Sequence, residues 1–502
     1  MIYASGPGER LNQAIDLLQQ GQLEGAWQAI HDVLAAEPRN ATALQIRGLI
    51  LAQAGQAEPA AADFRMAVQL TPDDPVAHNN LGNALRSLGR WEESLAACER
   101  ALELAPDYAD ARLSHANALL DLGRPEEALA GYDALLPAAP NDPRVLANRG
   151  LALRHLNRTA EAIESFDRAL AADPGNPGIR AYAGQAYLAG GDLEKGFGLF
   201  EARWRTPVMA AYLQDRAFGR PQWLGRTPLD GRTLLLHSEQ GYGDIFQFCR
   251  YAALAADAGA RVLIEVQAPA AALMRTLKGV AEVIEYGQPL PTFDLHCPVM
   301  SLPHAFGTTL QTIPGDLVPY LSADPAKVAA WTGRLGPKSR PRVGLVWSSG
   351  VRPDQPELAA ANGRRDLPLD ALRAFAGLPV GFISLQKGEP AEGEFAALDQ
   401  ASWGGPPILD VAGHLHDWSD TAALIETLDL LVSVDTATPH LAGAMGKPVW
   451  ILNRFDPCWR WLEPRSDSPW YPTMRLFRQP VIGDWGAVMD EVRAELARLF
   501  AA

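Results

Sequence analysis

Asp435, Thr436, Thr438 and His440 fall within six residues, directly behind an apolar run. The stretch LVSVDTATPHLAGAMGKPVWIL, residues 431–452, predicts a strand, a tight polar turn, a short helix of small residues and a second strand. The first strand delivers Asp435 to its carboxyl edge. Pro439 falls in the first helical turn, where proline is tolerated, and Thr436 or Thr438 can cap that turn. The N–H groups that open a helix, with the positive end of its dipole, suit a diphosphate. His440 can add a donor. Asp435 would repel a phosphate at close range and is better suited to accept hydrogen bonds from sugar hydroxyls. An ordinary capped helix start with a buried, hydrogen-bonded histidine would use the same residues, so both readings stay open.

Other stretches carry related chemistry. SLQKG, residues 384–388, ends a predicted strand with Lys387 at its carboxyl edge. Arg352, Arg364 and Arg365 cluster in the loop WSSGVRPDQPELAAANGRRDLP of an otherwise acidic chain. Their guanidinium forks match phosphate or carboxylate; a solvated loop is the alternative. HSEQGYGD, residues 237–244, is a glycine turn that lets backbone approach a ligand, and Asp244 begins a helix, where an aspartate commonly caps. Trp459, Arg460, Trp461, Trp470 and Tyr471 follow a later strand; such rings either face a nucleobase or sugar or fill a core.

The elements that must position these residues alternate. TLLLHS, RVLIEV, AEVIEY and FDLHCPV read as strands, with helices over IFQFCRYAALAADAG and AAALMRTLKG. A second series, RVGLVWSS, VGFISLQ, PILDV, LDLLVSVD, KPVWIL and MRLFRQ, has helices near 368–376, 391–400, 418–427 and 438–445. Near-continuous apolar strands alternating with helices mean parallel sheets covered on both faces. Two series, parted around 322–341, predict two doubly wound domains with a ligand cleft at the strands' carboxyl ends. WGAVMDEVRAELARLF predicts a terminal amphipathic helix.

The first two-fifths differ. Proline recurs at 38, 72, 106, 140 and 174, and a small residue at Gly48, Gly82, Ala116, Gly150 and Gly184. Gly55, Gly89, Gly123, Asn157 and Gly191 form a third register, and Phe64, Cys98, Tyr132, Phe166 and Phe200 a fourth. All four share a 34-residue step, and the pattern resembles the tetratricopeptide (TPR) repeat. Four full repeats (39–72, 73–106, 107–140, 141–174) with degenerate ends predict a stacked superhelix. Asn80 and Asn148 share one repeat position, Asn83 and Asn117 another; their amides could hold an extended acceptor peptide, or simply be solvated.

SVDTATPHLAGAMGKPVW resembles the nucleotide-sugar motif of GT-B glycosyltransferases, most nearly that of heptosyltransferase-type enzymes. The resemblance implies a GT-B fold over 231–502, with Asp435 toward the donor sugar and Thr436, Ala437 and Thr438 toward its phosphates. Pro439 departs from the serine frequent there and removes one donor. The resemblance also places a donor-phosphate lysine at Lys387, and turns the 237–244 loop toward the acceptor. Inverting transfer needs a base, a role open to Asp244 or Glu239. The resemblance implies metal-independent catalysis, with which the absence of a convincing DxD in 231–502 agrees; no cofactor is expected beyond the nucleotide-sugar co-substrate. TPR fused to GT-B is the layout of protein O-GlcNAc transferases and of bacterial flagellin glycosyltransferases, and the motifs fit the bacterial group better. There the donor can be a CMP-linked nonulosonic acid with a single phosphate.

The expected architecture is therefore an α-solenoid at 1–207, a linker at 208–230, an acceptor-side Rossmann-like domain at 231–325 and a donor-side one at 326–502. The expected activity is sugar transfer to Ser or Thr of a polypeptide held by the array. A polysaccharide or lipid-linked acceptor, or a non-catalytic scaffold, are the alternatives. A net charge of −15 over 502 residues argues against nucleic-acid or membrane-surface binding. Four scattered cysteines, no signal-peptide pattern and no apolar run of about 20 residues predict a cytoplasmic protein without membrane insertion.

Overall fold

The structure is a computed structural model that describes residues 7–207, 209–210, 216, 218–239, 241–350 and 363–501. It divides into two compact units. The first holds residues up to 156 with 171–173, and the second the other described residues. The division falls inside the repeat pattern, between Leu156 and Asn157, rather than at residue 207.

In the first unit helices pair from Pro7–Gln19 to Pro143–His155. The 34-residue registers have direct physical causes. Gly55, Gly89 and Gly123 have φ of 75°, 72° and 74°, the left-handed conformation glycine adopts at least cost. A Cβ on Gly48 would lie 2.7 Å from the Phe64 ring, and one on Gly82 2.7 Å from Cys98 Sγ. The small-residue register therefore receives the large residue of the next helix. Asn40, Asp74 and Asp142 cap the helices that follow them. These are TPR repeats.

The second unit takes in the last repeat helices, Pro177–Ala189 and Leu193–Phe200. Asn157, in the glycine register, adopts φ 54°. Two sheets follow, every pairing in them parallel. Strands β1 (Thr233–His237), β2 (Arg261–Val266), β3 (Val280–Glu285) and β4 (Leu295–Pro298) lie in the order β3-β2-β1-β4. Strands β5 (Arg342–Val346), β6 (Gly381–Ser384), β7 (Ile408–Asp410), β8 (Leu430–Val434), β9 (Val449–Asn453) and β10 (Met474–Arg478) lie in the order β10-β9-β8-β5-β6-β7. Counted within its own sheet the latter is 3-2-1-4-5-6, whose direction reverses between β5 and β8. Ligands in such sheets bind outside the carboxyl ends of the strands at that reversal.

Alternation decides which side of the second sheet each residue covers. Leu430, Val432 and Val434 face Val488, Val492 and Leu496 of the terminal helix Trp485–Leu499. Leu431, Val449 and Ile451 face the other way, into a core shared with Leu234, Leu236 and Ile264 of the first sheet and with Phe197 and Phe200 of the last repeat. A single apolar core thus joins both sheets and the end of the array.

One predicted helix is broken. IFQFCRYAALAADAG forms two helices, Tyr242–Phe248 and Tyr251–Asp257. The Phe246 carbonyl accepts from the Tyr320 hydroxyl at 2.7 Å and the Gln247 carbonyl from Arg250 Nε at 2.8 Å. These side chains satisfy the carbonyls at the end of the first helix, and the chain turns there. Among the described residues, no helix is long and apolar enough to cross a membrane.

Candidate functional site

The helix Ala437–Ala444 starts directly beyond β8, on one side of the strand-order reversal. Thr436 takes the N-cap position in an extended conformation, yet its side chain makes no capping bond. Its Oγ1 is buried without a hydrogen-bond partner. The helix therefore opens on N–H groups that lack intrahelical acceptors beside an unsatisfied hydroxyl. Arg365 Nη1 donates to the Asp435 carbonyl at 3.0 Å, which brings a guanidinium to the same turn.

The second sheet's registers place further residues beside this turn. Val434 pairs with Leu452, Val346 with Ser433 and Leu345 with Ser384. Lys387, Ser348 and Asp435 follow the ends of β6, β5 and β8, and Asn453 ends β9. Lys387 Nζ lies 3.0 Å from Glu392 Oε1 and 3.1 Å from the Ala412 carbonyl. Asn453 is 1% exposed, and neither atom of its amide has a partner. Arg364 lies 3.6 Å from Asp456. Arg352 lies outside the described residues.

His440 is buried in the same helix. Its Nδ1 is 3.0 Å from the Tyr471 hydroxyl, its Nε2 3.9 Å from Asp435 Oδ1, and its ring stacks on Trp461 at 5.2 Å. Burial pushes its pKa down to about 3, against the pull of Asp435, and Arg460, Arg250 and Arg365 depress it further. The ring is therefore neutral at ordinary pH and offers a ligand a hydrogen bond rather than a charge.

The first sheet's glycine turn closes on this helix. A Cβ on Gly243 would lie 3.0 Å from the His440 ring and 3.6 Å from Ala437 Cα, so the two helices meet closely at this glycine. Asp244, one residue on, pairs with Arg460, whose Nε donates to Gln247 Oε1 at 2.6 Å. Asp244 thus adjoins the second sheet's site. Glu239 does not, which corrects the expectation that it could serve as base. Its side chain is fully buried, with Arg203 Nε at 2.9 Å, Arg203 Nη2 at 3.0 Å and the Met300 N–H at 3.1 Å. It anchors the end of the repeats to the first sheet.

Of the two roles open to the aromatic residues, Trp461, Trp470 and Tyr471 take the second: they are fully buried and form core. In the array Asn117 and Asn148 come together, but onto each other. Asn117 Oδ1 accepts from Asn148 Nδ2 and from the Tyr132 hydroxyl, each at 2.8 Å. Asn80 is half-buried and Asn83 exposed. Sequence reasoning missed Arg250 and assigned Arg460 no ionic role. The single charge inside the apolar run IFQFCRYAALA was the available signal for Arg250.

Three buried histidines make the unit acid-sensitive. His237, 3.2 Å from His296, has its pKa pushed well below the ordinary value by burial, then by His296; burial pushes His296 to about 4. With His440 these rings are neutral when folded, while unfolded histidine protonates near pH 6.5. The unfolded state therefore binds more protons as pH falls below that value. Stability is fully present above pH 6.5 and drains below it, by up to about 1.4 kcal/mol per pH unit for each ring. The thermal midpoint should fall increasingly steeply from pH 7 to pH 5; a flat midpoint over that range would refute neutral burial.

The chain thus combines TPR repeats with a body built on two parallel, doubly wound sheets. Residues 11–75, 113–177 and 147–205 match one tetratricopeptide-repeat family, and residues 75–108 another. Protein FlbA of Caulobacter vibrioides is 28% identical over 341 residues, which is 63% of this chain and 54% of that protein. The chain thus spans about half the length of that curated relative. Two solved structures are similar over the repeats. A thermophilic TPR protein of Thermus thermophilus is 21% identical, with TM-score 0.33, and covers 36% of this chain and 100% of its own. Pseudomonas aeruginosa pilF is 17% identical, with TM-score 0.35, and covers 42% of this chain and 97% of its own.

Proposed function

We propose that the protein is a metal-independent, inverting glycosyltransferase that moves a sugar from a nucleotide donor to Ser or Thr of a polypeptide. The TPR repeats would hold the polypeptide, flagellin being the acceptor suggested by the layout. The observation that carries the reading is the opening of helix Ala437–Ala444 at the reversal of strand order. There the Thr436 hydroxyl is buried without a partner and Arg365 reaches the same turn. Free N–H groups, a helix dipole and a guanidinium stabilise an anionic leaving group. Asp435, its side chain 18% exposed, takes sugar hydroxyls. Lys387 swings from Glu392 to the phosphates, and Asp244 receives the acceptor's proton.

A thermal-shift screen with UDP-, GDP-, ADP- and CMP-sugars tests this. Bound ligand raises stability by about 2.7 kcal/mol at a hundredfold excess over Kd. One nucleotide class should raise the midpoint clearly above the others. No shift with any of the four, together with no transfer, would refute the reading.

A further inference from the structure

The guanidinium of Arg460 comes from the second sheet's side and bonds to the first sheet's helix. It comes from the short 3-10 turn Trp459–Trp461, between β9 and β10. Nη2 pairs with Asp244, at the head of the first sheet's helix. Nε donates to Gln247 Oε1 at 2.6 Å, one turn further along that helix. Nη1 is 3.1 Å from Cys458 Sγ, and the group lies 4.4 Å from the centroid of the Trp459 ring. Arg460 is 9% exposed. Its charge also acts on Asp435 and His440, on the donor side. Among the described residues, Arg250, Arg365 and Tyr471 face His440, and Glu239 is close enough to Asp244 for the two carboxylates to act on each other.

We infer that Arg460 is a positioning residue shared by the two ends of the reaction. It fixes the Asp244 carboxylate where an acceptor hydroxyl arrives, and holds positive charge beside Asp435, where the nucleotide leaves. This rests on the transferase reading. In the step it serves, the acceptor oxygen bonds to the anomeric carbon and its proton passes to Asp244. The bond from that carbon to the phosphate oxygen breaks, and its electron pair leaves with the nucleotide. One guanidinium, with five N–H donors in a fixed fork, can hold the carboxylate and still face the departing anion. An arginine beside an aspartate also keeps the carboxylate ionised to lower pH.

The test compares pH profiles of kcat/KM for wild type, Arg460→Gln and Arg460→Lys, with nucleotide affinity measured by calorimetry. In Arg460→Gln the acid limb should move up by about one pH unit or more, and nucleotide affinity should fall at least tenfold. A purely structural role would lower the rate at every pH and leave the limb in place. Arg460→Lys keeps the charge but loses the fork; its limb should stay near wild type while its nucleotide affinity falls. If Arg460→Gln does not fold, Arg460→Lys decides, and an unchanged affinity overturns the inference. A wild type that transfers, with an unmoved limb in Arg460→Gln, overturns this inference alone. A wild type that neither binds a nucleotide sugar nor transfers overturns the transferase reading, and this inference with it.

Discussion

Replacing Asp435 by alanine is expected to lower kcat/KM for sugar transfer by about 100-fold, or about 2.7 kcal/mol, and to leave the thermal midpoint almost unchanged. The two halves of this expectation come from different atoms. The carboxylate is partly open, and the neutral His440 ring keeps its Nε2 3.9 Å from Oδ1, too far for a hydrogen bond. The contact that holds the turn uses the backbone: Arg365 donates to the Asp435 carbonyl, which alanine keeps. Among the described residues, removing the side chain therefore breaks no hydrogen bond. It also removes the mild field that opposes the low pKa of His440, so the ring stays neutral. Hydrogen bonds from sugar hydroxyls to a carboxylate contribute about 1.5–3 kcal/mol each, and losing one or two accounts for the loss in rate. Asp435→Asn retains an acceptor and should lose less. Transfer at the wild-type rate in Asp435→Ala would sink the assignment of this turn to the donor, whatever the fate of the repeats.

Period and alternation made most of the architecture legible. The 34-residue step located the glycines of positive φ, and Asn157 in the same register took φ 54°. Each apolar run of the second half became a parallel strand, and the terminal helix formed as Trp485–Leu499. Contacts between residues far apart in sequence were not legible. Nothing in HSEQGYGD says that Glu239 will meet Arg203, 36 residues earlier, because an ion pair leaves no periodic trace. The same holds for Asp244 and Arg460, which are 216 residues apart. Asn117 carried the right residue type for a peptide ladder, but its repeat neighbour Asn148 occupies its carbonyl. Thr436 showed the reverse case: it holds the N-cap position without making the cap bond. A departure from a local rule at one turn of a regular sheet is where function is to be sought.

Arg250 offers the harder test, because two large effects oppose each other. Its guanidinium is completely buried and, among the described residues, forms no ion pair with a carboxylate. Taking a charge out of water costs several kcal/mol, so on that ground alone an apolar replacement of similar size would stabilise. Each of its three nitrogens, however, donates a hydrogen bond. Nε reaches the Gln247 carbonyl, Nη1 the Trp470 carbonyl and Nη2 the Tyr320 hydroxyl, each at 2.8 Å. The group also lies 4.6 Å from the Tyr320 ring centroid and 4.8 Å from that of Tyr471. It sits just beyond the carboxyl end of helix Tyr242–Phe248, where the dipole favours a cation. Arg250→Met would regain the desolvation cost but leave two buried carbonyls without donors, at about 1–3 kcal/mol each, and would lose the ring contacts, worth about 2 kcal/mol when desolvated. The losses should win, and urea unfolding should show a net destabilisation of about 3 kcal/mol. Because Trp470 and Tyr320 lie on the second sheet's side of the shared core, the same substitution loosens the helix that carries Gly243 and Asp244. Transfer should then fall more than nucleotide affinity does. Equal or greater stability in Arg250→Met would mean that the cation is retained at a cost to folding.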